Sequence, residues 1–294
     1  MSEANSERLD RWAEWVLSRG HGGDERGARR KLELLQPVKS KVLENAAVQP
    51  GDVVLDVGTG DGLIGFGALD LLGDSGRVIF SDISTELVSV CRETASALGV
   101  AERCDFAVAS ADDLSRFPDG SVDVVTTRSV VIYLPLQRKR TVFREFYRVL
   151  RNGGRLSMFE PINSRFKTLG EAEVWGYDVS AVSDLAQRVV AAYGQQDSAL
   201  VDFDDRDLGG FAEDAGFGDI GLDLQVRIER EPWFEDWESF LKTAGNPLIP
   251  TQEEAIREAL SEQEAERFRD HLRPLVEQKK GTRRSAVVYL WCTK

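Results

Sequence analysis

The chain has 294 residues, of which 42% are hydrophobic and 30% charged, a composition that fits a folded globular protein with a sizeable core. Its 50 acidic residues outnumber its 37 basic ones and give a formal charge of -13, which repels nucleic-acid backbones and anionic membrane surfaces. We therefore expect neither nucleic acid nor a membrane as partner.

Cysteine and histidine usage excludes further classes of protein. Three scattered cysteines, with no Cys-x-x-Cys pair and no histidine at metal-ligand spacing, predict neither a disulfide framework nor a zinc site.

The N-terminal residues lack the pattern of a secretory signal, and no apolar run reaches about 18 residues. A cytoplasmic location is the expectation. Two basic runs, residues 29–31 and 138–140, are interpreted as solvated helix faces.

Residues 1–46 predict a helical N-terminal cap. The first half of this segment has an apolar stripe at helical spacing, formed by Leu9, Trp12, Trp15 and Val16. A glycine-rich break follows at residues 20–23, and a second amphipathic stretch is expected to be interrupted at Pro37.

From residue 52 to about residue 160, short β-branched strands alternate with helices. The predicted strands cover residues 53–57, 77–80, 105–108, 122–126 and 155–159, and the predicted helices cover residues 63–72, 85–98 and 137–150. Strands that are apolar on both faces are typical of a parallel sheet covered by helices on both sides. We predict a Rossmann-like, doubly wound α/β fold with a mostly parallel seven-stranded sheet, whose core spans residues 47–164.

The alternation lapses at residues 165–204, a segment too long for a simple connection, which predicts an inserted lid. Residues 205–294 are expected to complete the sheet and to add helices on the substrate side. The predicted elements are a helix at 208–215, a strand at 220–228, an aromatic helix with Trp233, Trp237 and Phe240, two charged helices within 251–278, and a strand at 285–291.

Residues 56–62, Asp-Val-Gly-Thr-Gly-Asp-Gly, are the most informative segment. They end the first predicted strand and open the first helix. Gly58 and Gly60 allow a tight turn and the close approach of a ligand beside a helix N-terminus with unpaired N–H groups. A dinucleotide fingerprint, Gly-x-Gly-x-x-Gly, would need a small residue at position 63, where this chain has Leu63.

This Gly-x-Gly-x-Gly loop after an acidic residue resembles the first motif of class I S-adenosylmethionine-dependent methyltransferases. Further motifs occur in that family's order. Asp82 ends the second strand, residues 110–123 contain an Ala-Asp pair and a Pro-Asp-Gly-Ser turn, and residues 148–155 contain Asn-Gly-Gly where the family has Pro-Gly-Gly. The chain is similar to the ubiquinone/menaquinone C-methyltransferase group, and the resemblance implies S-adenosylmethionine as cofactor.

The resemblance also implies which residues contact the cofactor. Asp82 would accept from the ribose hydroxyls, with helix capping as its alternative role. Asp112 would accept from the adenine amino group. Arg128 would contact the cofactor carboxylate or a substrate anion, unless it forms an ion pair with an acid such as Asp123. The expected cofactor-binding residues are Asp56, Gly58, Thr59, Gly60, Asp82, Ile83, Leu87, Ala111, Asp112 and Arg128.

Three residues are candidates for the catalytic site, where methyl transfer depends mainly on positioning. Glu160 ends the fifth strand and is the leading acid or base candidate, with ordering of the loop as its alternative role. Tyr133 could face the substrate or pack under the following helix. His21 could close over the pocket as a base or be an ordinary loop residue.

Two features of the second half have alternative interpretations. The acid-rich residues 202–207 could hold magnesium and a diphosphate, although aspartates before a helix commonly cap it. The aromatics Trp175, Tyr177, Trp233, Phe234 and Trp237 could line an apolar substrate cavity or form that region's own core.

The sequence favours an enzyme that methylates an O, N or C atom of a small, apolar or aromatic molecule of specialised metabolism. Alternatives are an NAD-dependent oxidoreductase and a non-catalytic S-adenosylmethionine-binding protein. The expected partner is a small-molecule substrate, and a homo-oligomer is compatible with the sequence.

Overall fold

The computed structural model describes residues 9–166, 173–194, 198–230 and 233–294. The helices are α1 (Arg11–Leu17), α2 (Glu25–Ala46), α3 (Leu63–Leu69), α4 (Thr85–Ala97), α5 (Leu136–Val149), α6 (Ser183–Ala192), α7 (Asp205–Ala215), α8 (Trp237–Lys242), α9 (Gln252–Ala259) and α10 (Glu262–Glu277). The strands are β1 (Val53–Val57), β2 (Arg77–Asp82), β3 (Cys104–Val108), β4 (Val122–Arg128), β5 (Leu150–Pro161), β6 (Glu173–Val174), β7 (Tyr177–Asp178), β8 (Gly218–Glu229) and β9 (Arg283–Thr293). Within these ranges, no helix combines the length and apolar character needed to cross a membrane.

Seven strands form one sheet in the order β3, β2, β1, β4, β5, β9, β8. Neighbouring strands from β3 to β5 are parallel, whereas β9 runs antiparallel to both β5 and β8. The predicted seven-stranded, mostly parallel sheet is confirmed. The strand order switches between β1 and β4, so the carboxyl ends of these strands border the crevice where open α/β sheets bind ligands.

Helices cover both faces of the sheet, as the strand composition predicts. On one face, α5 and α7 bury Phe143, Phe146 and Phe211 against the strands. On the other face, α2 and α3 contribute Leu43 and Ile64 to a second apolar cluster. Burial on both faces explains why the strands are apolar throughout and not alternating.

The N-terminal segment differs from the prediction at Pro37. Helix α2 continues through this exposed residue instead of being interrupted there. Proline in a helix interior loses one backbone hydrogen bond and costs about 3 kcal/mol. Packing on either side of it offsets this cost, because Leu43 and Ala46 are buried against the core and Lys31 is hydrogen-bonded to the carbonyl of Val16.

The hairpin of β6 and β7 shares one apolar core with helices α6, α8, α9 and α10. Tyr177 and Phe240 are fully buried in it, and Trp175, Phe234 and Trp237 pack in the same cluster. The inserted segment and the C-terminal helices therefore form one helical unit. We call this unit the helical cap; it is distinct from the N-terminal cap predicted for residues 1–46. Four of the five aromatic residues named above, Trp175, Tyr177, Phe234 and Trp237, therefore belong to the core of the helical cap, the second of the two interpretations, whereas Trp233 is 41% exposed.

Strand β5 begins earlier than predicted, at Leu150 instead of Arg155. Val122 of β4 pairs with Leu150 and Val124 pairs with Arg155, so the Asn-Gly-Gly segment forms a bulge inside the strand. Gly153 has φ +74°, a conformation that glycine adopts without strain. The glycine pair is thus needed for the bulge itself.

Candidate functional site

The carboxylate of Asp56, in β1, organises the glycine loop. One of its oxygens accepts from the Thr59 hydroxyl at 2.6 Å and from the Gly65 amide at 3.1 Å, and the other accepts from the Thr126 hydroxyl at 2.7 Å. Asp56 is buried, and burial raises its pKa to about 6 although these hydrogen bonds oppose the shift. Asp56 therefore ties the loop to α3 and β4, with both oxygens engaged inside the protein.

Gly58 and Gly60 have left-handed backbone conformations, with φ of +65° and +58°. A Cβ at Gly58 would lie 2.1 Å from Cγ2 of Val130, so only glycine lets the loop approach the segment after β4. A Cβ at Gly60 would have no neighbour closer than Val16 of α1, at 3.9 Å. Gly58 is thus required for packing, whereas Gly60 faces the space between the loop and α1.

Asp82, the last residue of β2, joins the glycine loop to the start of α4. One carboxylate oxygen accepts from the Gly60 amide at 2.9 Å and the other from the Ser84 amide at 3.0 Å. The helix cap is Ser84, whose hydroxyl accepts from the Leu87 amide at 3.1 Å. Burial raises the pKa of Asp82. The carboxylate oxygens keep lone pairs that could accept from a further donor.

The residues expected around an adenine ring lie in different environments. Ile83 is 56% exposed, as a residue facing an open crevice would be. Leu87 is buried against Ala13 and Val16 of α1. Ala111 is also buried, in the apolar cluster beneath α5. Ile83 is therefore the only one of these three apolar side chains that is open to solvent.

Asp112 forms an ion pair with Arg138 of α5 and accepts from the Ser110 hydroxyl at 2.5 Å. Burial alone would raise the pKa of Asp112, but the hydrogen bonds from Arg138 and Ser110 lower it below its ordinary value. Asp112 is thus ionised and fixed in place at the carboxyl end of β3.

Arg128 ends β4 and is half-buried. In the part of the chain that the structure describes, its guanidinium makes no hydrogen bond and no ion pair. The ion-pair alternative with Asp123 is not the arrangement observed, because Asp123 pairs with Arg151 and accepts from the Val53 amide at 2.8 Å. A guanidinium without a hydrogen bond or ion pair to any described residue therefore lies at the carboxyl end of β4.

Glu160, in β5, is fully buried and accepts three backbone hydrogen bonds. The amides of Val130 and Val131 donate to one oxygen at 2.9 Å each, and the amide of Ile132 donates to the other at 3.2 Å. Burial raises the pKa of Glu160 to about 7, and the three amides oppose that shift. This geometry is that of the loop-ordering alternative, since the carboxylate is occupied by the segment after β4.

Helix α1 lies across the crevice. The ring of Trp12 meets that of Tyr133 edge-on, and Val16 covers Gly60. Burial raises the pKa of the Tyr133 hydroxyl, and the charge of Glu160 adds to the effect. Tyr133 thus lies beside α1, at the border of the crevice.

His21 lies beside a groove of about 290 Å³ between α1, α2 and the start of α3. One ring nitrogen, Nε2, is 3.0 Å from the carbonyl of Leu17, and the other, Nδ1, is buried without a partner in the described residues. Asp61 of the glycine loop borders the same groove. His21 is therefore adjacent to the loop on the side of α2.

The aspartates at residues 202–207 have structural partners. Asp202 accepts from the Leu136 amide at 3.0 Å and pairs with Lys139 at 2.8 Å. Asp204 and Asp207 form a capping box at the start of α7. Within the described ranges, no group of three His, Cys, Asp or Glu side chains could hold a metal ion. These contacts correspond to the capping alternative.

The sequence interpretation missed the roles of two lysines. Lys139, within a run interpreted as solvated, is fully buried, and its ammonium donates to the carbonyl of Ala199 at 2.9 Å. Lys31 donates to the Val16 carbonyl at 2.7 Å and to Asp61 at 3.2 Å, and so links α1, α2 and the glycine loop. The interpretation as a solvated helix face is wrong for Lys139 in residues 138–140, whereas residues 29–31 remain exposed or partly exposed. The sequence pattern of charges does not show which lysine will find a buried acceptor.

Comparison with known proteins agrees with this geometry. Residues 54–154 match a family described as a methyltransferase domain. An arsenite methyltransferase of Halobacterium salinarum is 30% identical over 73% of this chain and 49% of its own length. A ubiquinone/menaquinone biosynthesis C-methyltransferase of Hydrogenovibrio crunogenus is 32% identical over 42% of this chain and 47% of its own length. The solved YcgJ protein of Bacillus subtilis shares the fold, with a TM-score of 0.56 and 17% identity over 87% of this chain and 97% of that one.

In sheet order, glycine loop and sequence, the chain is similar to the class I S-adenosylmethionine-dependent methyltransferases. Its methyltransferase domain includes residues 54–154. The chain spans about half the length of the two curated relatives, 49% and 47%.

Proposed function

We propose that this protein transfers a methyl group from S-adenosylmethionine to an oxygen, nitrogen or carbon atom of a small, apolar or aromatic acceptor. The observation that carries the proposal is the left-handed glycine loop, which two buried carboxylates, Asp56 and Asp82, hold at the carboxyl edge of the parallel strands. Backbone N–H groups and a cation, Arg128, border the same crevice.

The residues at this crevice fit the separate parts of the cofactor. Asp82 has lone pairs for the ribose hydroxyls. The guanidinium of Arg128, which makes no hydrogen bond or ion pair among the described residues, would pair with the carboxylate of the amino-acid end. Gly60 places no Cβ between the loop and the ligand. Ile83 and Asp112 remain our candidates for the adenine side, with Asp112 held in position by Arg138.

When bound, the cofactor supplies a methyl group on a positively charged sulfur, with a neutral thioether as leaving group. The protein has to align the acceptor with that methyl group and exclude water. Tyr133 and Trp12 offer two aromatic rings for an apolar acceptor to contact. Glu160 acts as a positioning residue, because its three amide contacts fix the segment that leads to Tyr133.

The cysteines bear on the choice of acceptor. Arsenite, which the Halobacterium relative methylates by its name, is a soft acceptor that binds thiolates. All three cysteines here, Cys91, Cys104 and Cys292, are buried, and burial raises the pKa of each thiol. Buried thiols with raised pKa are poor metalloid ligands. This favours an organic acceptor over arsenite.

Two experiments test the proposal. Calorimetric titration with S-adenosylhomocysteine and, separately, with NAD should give binding of the first alone; binding of NAD instead would restore the oxidoreductase alternative. Incubation with S-adenosylmethionine labelled in the methyl group and a metabolite extract should then move label into a small organic molecule. Binding without transfer to any fraction would favour the non-catalytic alternative.

A further inference from the structure

The last strand of the sheet, β8, has an unpaired edge. It is 12 residues long and pairs on one side with β9, and no described strand pairs with its other side. Proteins commonly protect such edges with short strands, proline, lysine or bulges. β8 contains neither proline nor lysine, and its one irregularity lies at the Gly218 to Gly221 end. The opposite edge strand, β3, has only 5 residues.

One face of β8 is apolar and exposed. Side chains at alternate positions share a face of a sheet. Leu222, Val226 and Ile228 lie on the same face, and they are 38%, 47% and 65% exposed. Leu224, between Leu222 and Val226 on the same face, is partly buried against the core. Three branched side chains exposed on one face, beside open backbone groups, are a surface that water solvates poorly and a second strand would cover.

We infer that β8 is the interface between two copies of this chain, which pair antiparallel about a two-fold axis at Gln225. Such an axis places each residue opposite a residue of the same face. In this register Asp223 lies opposite Arg227 of the other copy, and the contact occurs twice. Leu222 lies opposite Ile228, so the apolar stripe meets itself.

Charge selects this register over its neighbours. An axis at Leu224 would set Asp219 opposite Glu229, and an axis at Val226 would set Asp223 opposite Glu229; both juxtapose acids. Of these three axes, only the one at Gln225 places Arg227, which is exposed and has no ion pair among the described residues, opposite an acid. An axis at Asp223 would also pair Arg227 with an acid, Asp219, but it would set Asp223 against its own copy.

Lys41 holds the acid of this pair in place. It forms an ion pair with Asp223, which also accepts from Gln225 at 3.1 Å. Exposed ion pairs contribute little energy but favour one register over others.

The interface lies away from the cofactor crevice, because β5 and β9 separate β8 from β4. Both copies would therefore keep an open crevice, and the interface does not depend on the proposed methyl transfer. Loss of the dimer and loss of cofactor binding can be measured separately.

Sedimentation tests the interface first. The full chain should sediment at twice its 32.7 kDa mass. Val226→Lys puts a charge into the apolar stripe and should shift the mass to 32.7 kDa with unchanged affinity for S-adenosylhomocysteine. Leu98→Lys is the matched control, because Leu98 is 62% exposed at the end of α4 and its replacement should leave the dimer intact. A wild-type monomer, or a dimer that Val226→Lys does not weaken, overturns the inference.

Cross-linking then tests the register. Gln225→Cys would face its own copy across the axis and should form a disulfide-linked dimer under mild oxidation. Arg227→Cys is the control, because position 227 faces position 223 and its own copy is out of reach. The native cysteines are buried and should not interfere. Linkage at position 227 and not at 225 would contradict the proposed axis.

Discussion

The ring of Trp12 meets the ring of Tyr133 edge-on, with the ring centroids 5.0 Å apart and the planes at 79°. This contact joins α1 to the segment that follows β4. On its other side α1 is fixed to the helical cap, because the Trp15 indole donates to the Ala244 carbonyl at 2.8 Å. A helix of 7 residues is not stable alone, so its position depends on these contacts.

We expect ligand binding to change the environment of α1, since Val16 lies directly over Gly60. S-adenosylhomocysteine should alter the intrinsic fluorescence and slow amide exchange across residues 11–17. Trp12→Phe should remove most of this fluorescence change. Trp233→Phe, at an exposed position between β8 and α8, should leave the fluorescence change intact. Identical exchange of residues 11–17 with and without saturating ligand would contradict a role of α1 in covering the cofactor.

Glu160 provides a prediction that separates positioning from base catalysis. Glu160→Ala would leave three amides without their acceptor and should lower the free energy of unfolding by about 3 kcal/mol. Glu160→Gln keeps an acceptor oxygen and should cost roughly 1–2 kcal/mol. If Glu160 only positions the loop, Glu160→Gln should retain methyl transfer to within about tenfold. A loss of about 100-fold or more in a folded Glu160→Gln variant would instead indicate a base.

The pH dependence of stability follows from the same carboxylate. Its pKa is raised from 4.5 to about 7 in the folded state, so the native protein binds more protons than the unfolded chain between these values. The contribution of Glu160 to stability is full below pH 4.5 and is lost as pH rises through about 7. Denaturant unfolding at several pH values should show a decline that is shallower in Glu160→Gln. Asp56, with its pKa raised to about 6, remains in both proteins and cancels in the comparison.

Replacement of the glycines separates folding from binding. Gly58→Ala would bring Cβ to 2.1 Å from Val130 and should destabilise the protein by about 2–3 kcal/mol. Gly60→Ala meets no atom closer than 3.9 Å, so it should cost about 1 kcal/mol of backbone strain but weaken cofactor binding.

The control for Gly60→Ala is Gly99→Ala, at φ +71° with nothing within 4 Å and remote from the loop. It should show the same strain and unchanged affinity. Equal affinities of the Gly60 and Gly99 variants, measured by titration, would place the ligand elsewhere.

The sequence predicted the sheet because its strands are buried on both faces and its helices are periodic. It also located the loop, since Gly58 and Gly60 must adopt positive φ. It could not predict that α2 continues through Pro37, because the compensating contacts come from distant parts of the chain. The sequence identified Glu160 as a candidate site residue but did not predict that its carboxylate accepts from three backbone amides. The reason is that the groups that a buried carboxylate contacts depend on the three-dimensional arrangement of distant segments.

Arg128 supports the last prediction, which concerns the amino-acid end of the cofactor. Because its guanidinium makes no hydrogen bond or ion pair in the described residues, Arg128→Gln should change the thermal midpoint only slightly. Loss of a charge-assisted pair should weaken S-adenosylhomocysteine binding by about 10-fold or more. Arg77→Gln, which breaks an exposed pair with Asp105 at the far end of β2, is the control and should not affect binding.

A second ligand makes the Arg128 test specific. Methylthioadenosine has the nucleoside and sulfur but no carboxylate, so its affinity should be the same in wild type and Arg128→Gln. The ratio of the two affinities therefore isolates the contact between guanidinium and carboxylate from any general change in the crevice. If Arg128→Gln weakened both ligands equally, Arg128 would act on the shape of the site or on the acceptor, and the cofactor carboxylate would need another partner.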